Sequence, residues 1–120
     1  MTNSAYYSWS EESFTLDILR EGEKDPETME FGDSIISLPD GVRYSACMMT
    51  KEEIARIMER EAVSGESLGG RYLSMPDLVV IRTRGASEMV EVVRDIVNSG
   101  DIAMHLPRIG DGDELDVPGM

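Results

Sequence analysis

Between Ser13 and Leu19 apolar and polar residues alternate, with Phe14, Leu16 and Ile18 on one side and Thr15 and Asp17 on the other. A period of two is the mark of a half-buried strand. Residues 20 to 33 then run through Glu21, Gly22, Glu23, Lys24, Asp25, Pro26 and Glu27 without a useful period, which predicts an exposed loop. Two apolar-rich runs follow, Ser34 to Leu38 and Val42 to Met49. Pro39-Asp40-Gly41 joins them; Pro presets the bend and Gly supplies a positive φ, so the pair reads as a hairpin.

Thr50-Lys51-Glu52-Glu53 has the spacing of a capping box, in which the Thr50 hydroxyl accepts from the Glu53 amide and the Glu53 carboxylate reaches back to the Thr50 amide. A helix over residues 51 to 64 is predicted, with Ile54, Ile57 and Met58 on its apolar stripe and Gly65 at the left-handed C-terminal position. Arg71 to Ser74 and Leu78 to Arg82 read as two strands separated by Pro76, which cannot donate to a ladder. The unbroken apolar run Leu78 to Ile81 suits a central strand covered on both faces. From Ser87 to Ser99, Met89, Val90, Val93, Ile96 and Val97 line one face and Glu88, Glu91, Arg94 and Asp95 the other. That pattern predicts a second helix, stopped by Gly100. Residues 102 to 109 carry only a short element, interrupted by Pro107.

The order strand, hairpin, helix, two strands, helix predicts an α+β fold, a mainly antiparallel sheet of about five strands with two amphipathic helices on one face. Such a sheet leaves its other face, or an edge, open to a partner. With 120 residues the chain has the length of one domain, expected over residues 1 to 110, and residues 111 to 120 form an acidic tail expected to be mobile.

Hydrophobic residues at 41% against 29% charged place the chain with globular proteins and away from disordered ones. No apolar run approaches the roughly 18 residues that span a bilayer, and Met1 to Glu12 lacks the basic start and apolar stretch of a signal peptide. Cys47 is the one cysteine, so no internal disulfide forms. A cytoplasmic protein away from membranes is the expectation.

Charge changes the picture most. A formal net charge of −13 disfavours phosphate backbones and anionic membranes and favours basic partners. Residues 11 to 33 hold nine acids against two bases, and residues 101 to 120 hold five acids against Arg108, whereas residues 43 to 84 hold six acids against seven bases. The excess lies in the flanks of a nearly neutral middle.

Catalytic chemistry finds little support in the sequence. His105 is the sole histidine, which rules out a two-histidine metal site and leaves Cys47 as its one possible thiol partner. Cys47 lies in an apolar run, where a small buried thiol is the common outcome. Gly65-Glu66-Ser67-Leu68-Gly69 spells Gly-x-Ser-x-Gly, but a helix precedes it where a nucleophile elbow needs a strand. The glycines of residues 65 to 70 lack a P-loop lysine and have the wrong spacing for a dinucleotide fingerprint. Asp111, Asp113, Glu114 and Asp116 are too short a run for an EF-hand loop. Paired acids such as Glu52-Glu53 are adjacent and do not flank a common substrate. The expectation is therefore no enzyme, no cofactor and no metal. Tyr6, Tyr7 and Trp9 form an aromatic cluster of the kind that anchors a partner or packs under the N-terminal segment.

Three segments, Leu38-Pro39-Asp40-Gly41-Val42-Arg43-Tyr44-Ser45-Ala46, Gly65 to Leu73 and Asp77 to Arg82 with the amphipathic helix after it, resemble small bacterial immunity proteins over roughly residues 38 to 100. The resemblance implies a protein that binds a cognate toxin and occludes its active site. Toxins acting on nucleic acid, or on an anionic nucleotide such as NAD, need basic sites, and an acidic surface complements them. Glu21, Glu23, Asp25, Glu27, Glu30 and Asp33, with Tyr6, Tyr7 and Trp9, are the partner-binding candidates. The alternative is a phage-encoded DNA mimic that inhibits a nuclease or defence complex. A further alternative is a small ligand-binding domain with a pocket around Cys47, Arg71 or His105.

Overall fold

Period-two patterning and turn chemistry set most of the sheet. The computed structural model describes residues 5 to 20 and 22 to 110; Glu21 and the expected acidic tail, 111 to 120, lie outside the described residues. Six strands are β1 (Tyr6–Glu11), β2 (Phe14–Leu19), β3 (Phe31–Ser37), β4 (Arg43–Thr50), β5 (Leu78–Ile81) and β6 (Arg108–Gly110). The helices are α1 (Lys51–Ser64), α2 (Glu66–Gly70), α3 (Ala86–Asn98) and α4 (Ile102–His105), with a 3-10 turn at Pro26–Thr28. The fold is α+β, as the pattern predicts. The sheet order is β1-β2-β3-β4-β5; the first four strands are antiparallel and β5 runs parallel to β4. β3 already occupies one side of Arg43 and Tyr44, so β6, which pairs with the same two residues, lies on the β5 side of β4.

Register explains the two faces. Leu16 sits opposite Ile36 and Ile36 opposite Tyr44. These side chains, with Phe14, Ile18, Ala46 and Met48, form one face, and α3 packs on it through Met89, Val90 and Val93. Ile102 and Leu106, in and just after α4, close the same cluster. Cys47 and Met49 alternate with Ala46 and Met48 and so point the other way. There they meet Ile57 and Ile54 of α1, with Leu73, Met75 and Leu78. The expectation that both long helices share one face thus holds for α3 and not for α1, because β4 is apolar on both sides of its pleat and needs cover on each.

β4 is also the doubly covered strand, in place of Leu78 to Ile81. β5 sits at the side of the sheet and leaves Val80 54% exposed. The predicted strand at Arg71 to Ser74 does not form; the segment runs irregularly and lays Leu73 and Met75 over the α1-side cluster. The aromatic segment expected before the first strand is itself a strand, β1, joined to β2 by a turn at Glu12 and Ser13.

Candidate functional site

The segment between β2 and β3 carries most of the acids singled out above, and folding divides them. Glu23 and Asp25 stay exposed. The Asp25 carboxylate accepts from the Glu27 amide at 3.0 Å and, with Pro26 next in the chain, starts the 3-10 turn. Glu27 turns inward. Its carboxylate accepts from the Ser87 amide at 3.1 Å and the Ser87 hydroxyl at 2.8 Å, capping α3, whose N-cap residue is Gly85 and which has no side-chain cap of its own.

Glu30 is committed in the same way. Its Oε1 accepts from Arg56 at 2.7 Å and from the Thr50 hydroxyl at 2.9 Å. The Arg56 guanidinium, then the Thr50 hydroxyl, hold the Glu30 carboxyl below the usual carboxylate range. This network also breaks the predicted capping box in half. Thr50 accepts from the Glu53 amide at 3.1 Å as expected, but its own amide donates to the Glu30 carbonyl at 3.0 Å, and the Glu53 carboxylate turns to Arg56 at 3.1 Å. Asp33 is exposed on β3, opposite Cys47 in the ladder and on the face away from α3. The acidity counted along residues 11 to 33 is therefore partly neutralised in space.

The aromatics do not form one cluster. Strand alternation puts Tyr7 and Trp9 on the α3 face and Tyr6 on the other. Tyr7 packs against the core. The Trp9 indole donates to Glu11 at 2.8 Å, and Arg94 of α3 grips Glu11 at 2.8 Å. Arg94, then Trp9, lower the Glu11 carboxyl, and Glu11, then Glu91, raise the Arg94 guanidinium. Tyr6 belongs instead to an uncovered stretch of sheet. Tyr6, Ser8 and Ser10 of β1, Leu19 of β2 and Asp33 of β3 are exposed there, and the Ser8 hydroxyl donates to Asp17 at 2.5 Å. The α1-side cluster reaches only Phe31, Cys47, Met49 and Leu78, so the sheet from β1 into β3 keeps one open face. Among the described residues, no strand pairs with the outer edge of β1.

Beside the Glu30 network lies a cavity of about 230 Å³ lined by Arg20, Lys24, Thr28, Met29, Glu30, Phe31, Glu53 and Arg56. Sequence reading missed it because it joins residues more than 30 positions apart. The one local signal was Glu53 and Arg56 at a spacing of three, a pairing that helices favour. It lies away from Cys47, Arg71 and His105, where a ligand pocket was expected.

Those residues offer little chemistry. Cys47 is 2% exposed, and burial, then Asp77 and Asp33, push its thiol up to about 11. It belongs to the α1-side cluster, whereas α4, which carries His105, packs on the α3 side through Ile102, so the sheet separates the two. The exposed His105 ring lies 3.4 Å from Asp101. Ser67 of the Gly-x-Ser-x-Gly match sits in α2, which winds left-handed at Ser67, Leu68 and Gly69, and not at a strand-to-helix elbow. Among the described residues, no three His, Cys, Asp or Glu side chains gather to hold a metal ion. No helix of the described residues is long and apolar enough to cross a membrane. Neither a protein-family model, nor a curated protein, nor a solved structure matches the chain.

Proposed function

We propose that this chain is a protein-binding inhibitor of the immunity type, which neutralises a cognate bacterial toxin by laying an acidic surface over a basic active site. The observation that carries this reading is the division of charge. Arg56 and Arg94 are held by Glu30, Glu53, Glu11 and Glu91, while Glu23, Asp25 and Asp33 stand exposed on a chain of net charge −13. Carboxylates in such an arrangement steer a basic partner into contact and substitute for the phosphates its site is built to hold. The open sheet face, with Tyr6 and Asp33, supplies contact area beside them.

The test is the rate of association with a toxin domain that co-purifies with the chain from its host. Reversing the exposed charges in Glu23→Lys, Asp25→Lys and Asp33→Lys together is expected to slow association at least tenfold at low salt and to flatten its salt dependence. An unchanged rate and an unchanged salt slope would discard the acidic surface as the binding device. Glu27 and Glu30 are unsuitable probes, because changing them disturbs the fold first.

A further inference from the structure

β1 ends one side of the sheet, and its outer edge carries none of the features that keep edge strands apart. From Tyr6 to Glu11 it pairs with β2 in unbroken register, without a bulge, a proline or a lysine. The Arg20 amide donates to the Ala5 carbonyl at 2.8 Å, which fixes the phase of the ladder. Ala5, Tyr7, Trp9 and Glu11 turn their main-chain groups toward β2, and Tyr6, Ser8 and Ser10 turn theirs outward. Among the described residues, no strand meets Ser8 or Ser10 from that side.

On a chain of net charge −13 this edge is nearly free of charge. Its one acid, Glu11, is held by Arg94 at 2.8 Å, and the exposed Glu12 lies in the turn beyond it. A basic partner finds nothing here to steer it, whereas a second copy of the chain finds its own complement. Residues 5 to 11 take part in the ladder and Ser8 is their midpoint, so a twofold antiparallel pairing centred on Ser8 uses the whole edge. It sets Ser8 against Ser8. On the α3 face it sets Trp9, 39% exposed, against Tyr7 of the second copy in each half, and aromatic cross-strand pairs of this kind are stabilising. The Asp17 carboxylates, each opposite Ser8 on β2, then lie three strand spacings or about 14 Å apart, beyond the roughly 8 Å screening length of physiological salt. α3 packs on β2 and β3, so its two copies are held apart by a similar span and do not collide.

We propose that two copies of this chain join through β1, antiparallel and centred on Ser8, into one continuous sheet. Paired residues share a face, so both α3 helices lie on one side of that sheet and both open faces on the other. The surface that carries Asp33 stays uncovered, and the pairing does not depend on the toxin-binding reading. One strand edge is a small interface, so the dimer is a weak one, expected to form between about 10 µM and 1 mM. Its salt dependence has a definite sign. Copies of like charge repel, so salt strengthens their pairing, where it weakens contact with a basic partner.

The experiment is sedimentation velocity of the full chain across that concentration range, at low and at high sodium chloride. The sedimentation coefficient is expected to rise with concentration toward that of a dimer, and more steeply at high salt. Ser8→Pro removes an outward amide and keeps the ladder to β2, because an edge strand tolerates proline where its N–H faces solvent. It should weaken association at least tenfold. Ser8→Ala, which loses the hydroxyl and keeps the amide, and Leu19→Ser, on the open face, should leave association within about twofold. Hydrogen exchange of the unaltered chain reads the same edge and decides the matter where Ser8→Pro loses its fold. The Ser8 and Ser10 amides should exchange more slowly in concentrated than in dilute samples, and the Val80 amide, at the opposite side of the sheet, should not change. A chain that stays monomeric up to about 1 mM overturns the proposal. So does self-association that a folded Ser8→Pro leaves intact, that Leu19→Ser abolishes, or that leaves the Ser8 amide at its dilute rate.

Discussion

Glu27 caps the helix that starts with Ala86 by accepting both the amide and the hydroxyl of Ser87, a residue 60 positions further along the chain. The contact requires Gly85. A Cβ there would lie 2.9 Å from the Glu27 carboxylate and 3.0 Å from the Glu27 carbonyl, and the Gly85 φ of 113° is one that other residues rarely adopt. Loss of such a cap costs about 1 kcal/mol, so Glu27→Ala should lower the melting temperature by roughly 4 °C. Ser87→Ala should add little on top of it. A double-mutant cycle in urea checks this, and two fully additive effects would show that the pair does not act as one cap.

Of the two glycines that end α2, Gly70 alone lies hard against the α1 backbone. Gly69 and Gly70 both have positive φ, 68° and 79°. A Cβ at Gly69 meets nothing within 4 Å, but one at Gly70 would sit 2.1 Å from the Met58 carbonyl oxygen and 2.9 Å from the Ala62 amide nitrogen. Gly69→Ala therefore carries only the left-handed strain of about 1 kcal/mol. Gly70→Ala adds a backbone clash, and its urea midpoint should fall by the equivalent of about 2 kcal/mol more. Equal losses at the two positions would mean that α2 is free to lift off α1.

What the sequence made legible was local. Thr50 and Gly65 bounded α1 to the residue, Pro39-Asp40-Gly41 marked the turn between β3 and β4, and the period of the Met89-Val90-Val93 stripe placed α3. The side of the sheet that each helix covers was harder to read, because Ala46 to Met49 is an unbroken apolar run and only its alternation says that β4 needs partners on both faces. β1 was hidden by its composition. Tyr7 and Trp9 alternate with Ser8 and Ser10, yet three aromatics in four residues read first as a cluster. The capping role of Glu27 and the cavity beside Arg20 rest on contacts between distant segments, which no local pattern encodes. Acids counted along a chain say little about which of them an arginine from another element has already claimed.

Acid should weaken the fold through the same ion pairs. The carboxyls of Glu11 and Glu30 lie below their usual range in the folded chain, owing first to hydrogen bonds from Arg94 and Arg56. A depressed carboxyl contributes stability that is present above its unfolded pKa, near 4.5, and lost as pH falls through the folded value. The urea midpoint is expected to hold from pH 7 to about pH 5 and to drop below that. Glu11→Gln with Glu30→Gln should lower the plateau and flatten the drop. An acid limb as steep as that of the unaltered chain would mean that other carboxyls set it. Since the pairs are partly exposed, 0.5 M salt should shrink the difference.

Cys47 predicts the opposite limb. Its thiol is 2% exposed and raised to about 11, chiefly by burial and then by the nearby Asp77 and Asp33. The folded chain keeps this thiol protonated where the unfolded chain already ionises it, so stability is complete below about pH 9 and falls as pH rises toward 11. The comparison with Cys47→Ala isolates the thiol: the variant should lose less of its urea midpoint between pH 9 and pH 11. An aromatic disulfide reagent at pH 8 should label the folded chain far more slowly than the chain in urea, because the thiolate is the reacting form and the side chain is covered. Equal labelling rates in the two states would place Cys47 at the surface and remove the burial on which the alkaline limb depends.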